Sequence, residues 1–181
     1  DVNYEKALEY YNSAANKNHV IAINNIGVMY LNGNGVDANQ KEAFNYFQKA
    51  ANKGSFEAMR NLGNLYRQGI GCNLSIKKAF EWFKRAVDAG DKESTLCINS
   101  LLDSEKSSKK LKNEMIEYLH QNAKSDNEFA MSSYGYLLLT GELVPQDIKK
   151  SCFYFKKAAD RGVVSAMVVY ANLMKSGVKG E

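Results

Sequence analysis

The chain has 181 residues, 45% of them hydrophobic, and carries 24 lysines and arginines against 20 aspartates and glutamates, a net charge of +4. That apolar content suffices for a core, the charge excess is too mild for a nucleic-acid footprint, and no run reaches the roughly 18 apolar residues a membrane helix needs. One proline, Pro145, suits a nearly all-helical chain, and three cysteines (Cys72, Cys97 and Cys152) in unrelated positions argue against a disulfide framework.

Residues 3 to 17 read as a helix that turns Ala7, Tyr10, Tyr11, Ala14 and Ala15 inward. Residues 20 to 53 form a first helix-loop-helix unit with the loop Gly33-Asn34-Gly35-Val36, and residues 56 to 89 a second with the loop Gly69-Ile70-Gly71-Cys72. In that second unit Ala58, Leu62, Leu65 and Tyr66 fall on one apolar face, and Ala79, Trp82, Phe83, Ala86 and Val87 on another. The third unit keeps the length and loses the markers: Asn99 and Glu105 replace glycines, and Leu111 stands where a cap is expected. A normal helix pair with a reshaped polar loop, Asp103 to Lys112, capped from Ser107 or Ser108, is expected there. Gly135, Tyr154, Phe155, Ala158 and Ala159 restore the pattern in a fourth unit, and a last helix runs from about 164 to 176.

These units are copies of one another, offset by 36 residues without insertion. The columns Ala22, Ala58, Ser94, Ala130, Ala166 and Gly27, Gly63, Asn99, Gly135, Ala171 are small or polar, and Tyr10, Tyr46, Trp82, Tyr118, Tyr154 are aromatic throughout. Such self-similarity marks a repeat array, because two helices cannot cover their own apolar faces and must stack. The chain is therefore read as a single repeat domain over 1–181: a half repeat at 1–19, repeats at 20–55, 56–91, 92–127 and 128–163, and a terminal helix at 164–181. Each unit is an A helix followed by a B helix. Asn3, Asn39, Ser75 and Asp147 stand ahead of the B helices as N-caps. Gly54, Gly90 and Gly162, with Asn18 and Asp126 in the other copies, close the B helices through left-handed backbone, and Gly33, Gly69, Gly141 and Gly177 close the A helices. Both ends look like cuts through a longer array.

Within each unit the order Leu62-Gly63, Tyr66, then Ala79 with Phe83 four later resembles the tetratricopeptide pattern, with a longer interval between the tyrosine and the alanine and a shorter return turn. That variant resembles the Sel-one-like repeat family, through the small-residue start of helix A, the leucine-glycine pair, the glycine-x-glycine-valine loop at Gly33 to Val36 and the paired alanines of helix B. The resemblance implies an all-α, right-handed α-solenoid of about four and a half repeats of 36 residues, with A helices on the concave side. It also implies an adaptor or scaffold that binds protein or peptide. One branch of the family has a disulfide in each repeat; the cysteines here depart from it.

If Ala22, Ile26 and Tyr30 point inward, the opposite stripe of helix A holds Asn24, Val28 and Leu31, and continues through the later units. The expected partner-binding residues are Asn24, Asn25, Val28, Arg60, Asn61, Asn64, Arg67, Ser132, Tyr136 and Leu139. Asparagine, arginine and tyrosine suit the backbone and acidic groups of an extended peptide, whereas the aliphatic members are equally explained as packing between A helices. Other readings are a helical-repeat nucleic-acid binder, through Lys106, Lys109, Lys110 and Lys112, and a hydrolase of the cysteine-rich branch. A solvated loop accounts for the lysines. His19 and His120 lack metal-ligand spacing, no nucleophile or phosphate-loop motif is present, and the twin-glycine loops read as turns, so no enzyme, cofactor or metal is expected. Free thiols favour a reducing compartment such as the cytoplasm; a secreted protein fits if a signal peptide has been removed.

Overall fold

A computed structural model describes residues 3–178. Its helices, in chain order, are α1 (Tyr4–Asn16), α2 (Val20–Asn32), α3 (Gln40–Asn52), α4 (Phe56–Gln68), α5 (Ile76–Asp88), α6 (Ser94–Leu102), α7 (Lys109–Lys124), α8 (Glu128–Thr140), α9 (Ile148–Asp160) and α10 (Val164–Lys175), with no strand among the described residues. The even-numbered helices are of type A and the odd-numbered of type B, so the fold is an all-α helical repeat. The chain divides into two compact units, Asp1–Ser94 and Thr95–Glu181. In the first, α2 packs on α3 and α4 on α5, while α1 and α3 each also touch the next A helix; in the second, α8 packs on α9, with α7 against α8 and α9 against α10.

The pairing of A with B rests on a glycine and a ring. A methyl group added at Gly27 would lie 2.8 Å from the Phe47 ring, and one at Gly63 would lie 2.4 Å from Phe83. Phe47 and Phe83 are completely buried, so the glycine is the hollow that admits the ring. Gly135 and Phe155 repeat the arrangement more loosely, at 3.4 Å. Asn99 and Leu119 occupy the same two columns in the third unit: the hollow narrows where the ring shrinks. Beside each lock the aromatic column packs on the A helix, Tyr46 stacked on Tyr30 and Tyr154 edge-on to Tyr134.

Side chains of Asn3, Asn39, Ser75 and Asp147 accept backbone N–H groups at the starts of α1, α3, α5 and α9, as their column predicts. Asn18 and Asp126 share positive φ with Gly54, Gly90 and Gly162, which confirms that column too. A second cap column, His19, Ser55 and Asn127 at 36-residue spacing, starts the A helices α2, α4 and α8.

Three features differ from expectation. Tyr10, expected inward, is 68% exposed, because no described A helix lies where Tyr30 lies for Tyr46. The third helix pair is unequal: α6 has 9 residues and α7 has 16. Ser107 Oγ donates to the Leu101 carbonyl and stops α6 early, while Ser108 caps α7 through Leu111 N. The twin-glycine loops are turns, and they do more than turn: a methyl at Gly35 would fall 2.6 Å from the Tyr4 backbone and one at Gly71 would fall 2.2 Å from the Gln40 carbonyl oxygen. The second glycine therefore seats each loop on the first residue of the preceding B helix.

Cys72, Cys97 and Cys152 are free thiols, and burial raises the pKa of Cys72 and Cys152. No described helix is long and apolar enough to cross a membrane, and among the described residues no group of three His, Cys, Asp or Glu side chains is placed to hold a metal ion.

Candidate functional site

The expected binding residues belong to both units, and each unit treats them differently. In Asp1–Ser94, helices α2 and α4 bring their asparagines together. Asn61 Nδ2 donates to Asn24 Oδ1 at 3.1 Å, and Asn24 Nδ2 reaches Asn25 Oδ1 at 3.5 Å. Asn24 is only 9% exposed, whereas Asn25, Asn61 and Asn64 are half-buried. Asn24 thus lies on the seam between α2 and α4 rather than on an outward stripe. Periodicity fixes the spacing along a helix but not its rotation about its own axis, so the burial of Asn24 is not legible from spacing alone. The Asn61–Asn24–Asn25 relay has a consequence for recognition. Its middle member is satisfied internally, and its ends leave the Asn61 carbonyl as an acceptor and the Asn25 NH₂ as a donor.

Arg60, from the same column as Asn24, is engaged inside the molecule. Its Nη1 donates to both carboxylate oxygens of Asp91 at 2.9 and 3.1 Å and lies 3.7 Å from Glu93. Asp91 is buried and also accepts Ser94 Oγ at 2.6 Å, so the arginine braces α4 to the turn that follows α5. Asp91 is the residue that sequence reasoning missed. Its signal was present, since it stands 36 residues after Ser55 and 36 before Asn127 in the A-helix cap column. Arg67 and Asn64 are half-buried on α4. Val28 packs against the core of this unit with Leu31, which assigns these two aliphatic members of the stripe to packing.

In Thr95–Glu181, Ser132 is half-buried on α8 and Leu139 packs against the local core. Tyr136, on the same helix, is 53% exposed. Tyr134 lies on the B-helix side, stacked on His120 at 4.4 Å and edge-on to Tyr154. Burial lowers the His120 pKa, with Lys124 and Lys150 adding to the effect, and raises that of Tyr134. Both rings are therefore held in their neutral forms, as packed side chains are.

The sequence model of the Sel1 repeat matches residues 1–19, 20–55, 56–91 and 129–163. The unmatched stretch coincides with the third unit, whose marker glycines and cap are replaced. Among solved structures, the chain is similar to a protective antigen present in uropathogenic Escherichia coli strains that displays an SLR fold, with 25% identity and a TM-score of 0.74 over 98% of this chain and 38% of the antigen. It is likewise similar to a Sel1 repeat protein from Oxalobacter formigenes, with 28% identity and a TM-score of 0.72 over 97% of this chain and 70% of that one. The chain thus spans well under half the length of the Escherichia coli antigen. No curated protein matches it significantly.

Proposed function

The chain belongs to the Sel1 repeat family, and from that premise we propose that it is a protein-interaction scaffold whose A helices in Asp1–Ser94 hold an extended peptide segment. The observation that carries this reading is the asparagine relay. An extended peptide offers one N–H and one C=O per residue, and the two ends of the relay offer the matching acceptor and donor. Asn64, one turn beyond Asn61 on α4, adds a second amide in the same direction. Because Asn24 fixes the orientation of Asn61, less side-chain freedom is lost when a ligand binds. Tyr136 supplies the second unit with an exposed aromatic of the kind enriched in protein interfaces.

A displayed library of random peptides, selected on the whole chain, supplies the test ligands. Binding of the selected peptides is then measured by fluorescence anisotropy. Each lost hydrogen bond is worth about 0.5–1.5 kcal/mol, so Asn61→Ala with Asn64→Ala is expected to weaken binding about tenfold or more. Asn64→Ala alone leaves the relay intact and should show a smaller loss. Equal binding to all three proteins, at equal helical content by circular dichroism, would place the peptide elsewhere.

A further inference from the structure

We propose that the outer face of α9 rests on an acidic phospholipid surface, with Phe153 entering the headgroup boundary between the side chains of Lys149 and Lys157. Phe153 stands in a column that reads Glu9, Asn45, Glu81 and Glu117 in the earlier copies, every one of them exposed. The last copy alone puts an aromatic there, and it is 43% exposed. Asn45 is exposed although α1 and α2 precede its helix and another pair follows it. Exposure of this column is therefore a property of the repeat and not of where the chain stops.

The ring has moved outward relative to the other copies. In α3 and α5 a phenylalanine stands one position earlier, where Phe44 packs edge-on to Tyr66 and Phe80 is 7% exposed. In α9 that inward place is taken by Cys152, which is completely buried, and the lock opposite Gly135 is already filled by Phe155. Packing thus gives no reason for a ring at 153. Tyr154, edge-on at 5.5 Å, and Lys157, whose Nζ lies 4.6 Å from the ring centre, hold it in place.

Lys149 and Lys157 stand one turn before and one turn after Phe153 on the same stripe of the helix. Both are exposed, and neither forms an ion pair among the described residues. Lys150 and Lys156 lie beside them in surface pairs with Asp147 and Asp160, at 3.3 and 2.9 Å. An aromatic framed by lysines favours lipid over protein as the acidic partner. Lysine is depleted from protein interfaces, where arginine, tyrosine and tryptophan carry recognition. At a bilayer its long stem lies along the apolar layer while the ammonium meets the phosphate groups. The contact is peripheral and reversible, since one ring and a few cations adsorb to a membrane without spanning it.

Co-sedimentation of the whole chain with vesicles tests this, using an equimolar mixture of phosphatidylserine and phosphatidylcholine against phosphatidylcholine alone. The wild-type chain is expected to bind the acidic vesicles, less so as salt is raised, and to leave the neutral ones unbound. Phe153→Asn installs the residue that α3 carries and should lower the affinity about tenfold. Lys149→Gln with Lys157→Gln should lower it about tenfold or more. Both are substitutions at exposed positions, and equal helical content by circular dichroism shows that they fold. A wild-type chain that ignores acidic vesicles, or variants that bind them like wild type, would overturn the proposal. A loss with the lysine variant and none with Phe153→Asn would also overturn it, reducing the contact to adsorption by charge. Binding to a polyglutamate peptide but not to the vesicles would overturn it in favour of an acidic protein partner.

Discussion

Replacing Phe83 by alanine is expected to destabilise Asp1–Ser94 by about 3–5 kcal/mol, the range for deleting a large aromatic from a packed core. Phe83 is completely buried and its ring fills the hollow over Gly63. The loss includes both the transfer of the ring and the cavity it leaves. Trp82, the chain's only tryptophan, is the neighbouring residue, so its fluorescence during urea unfolding reports on this unit directly. An unfolding free energy lowered by less than about 1 kcal/mol would mean that the α4–α5 pair does not depend on the ring.

The second large effect concerns the loop. Gly71→Ala is expected to cost about 2–4 kcal/mol, adding the penalty of about 1–2 kcal/mol for a side chain in left-handed backbone to a clash with the Gln40 carbonyl oxygen. That clash is with backbone, which no side-chain rotation relieves, so the loop must lift from the start of α3. Gly54→Ala is the control. Its φ is also positive, +94°, but nothing lies within 4 Å of the added methyl, so only the backbone penalty remains. The same fluorescence experiment compares the two variants. Equal losses would show that the loop does not bear on α3.

Much of this architecture was legible in the sequence because it is local and repeated. The caps at Asn39 and Ser75 act within three residues, and the helix-ending glycines need only their own backbone angle, so a column of like residues reveals both. Asn18 and Asp126 fit because they are the residue types that tolerate the conformation glycine adopts. What stayed hidden depends on partners more than thirty residues away. Arg60 looks like a recognition residue until Asp91 neutralises it, and Asn24 looks outward until Asn61 covers it. Likewise, Gly71 looks like a plain turn residue until the Gln40 backbone is seen against it. Asn25, Asn61 and Asn64 stay half-buried on the A helices, whereas Asn24 belongs to the seam between α2 and α4.

The pairing of A with B helices depends on the glycine and the ring being two parts of one lock, recurring every 36 residues. A double-mutant cycle on Gly63→Ala and Phe83→Leu tests that most directly. Alanine is the better helix former by about 1 kcal/mol, yet Gly63→Ala alone is expected to destabilise, since its methyl enters the ring's place. In the double variant the smaller leucine makes room, as the Asn99 and Leu119 columns do in the third unit, and the coupling should be about 1 kcal/mol or more in the direction of rescue. Two effects that add within about 0.3–0.5 kcal/mol would contradict the lock, and with it the rule by which A and B helices pair.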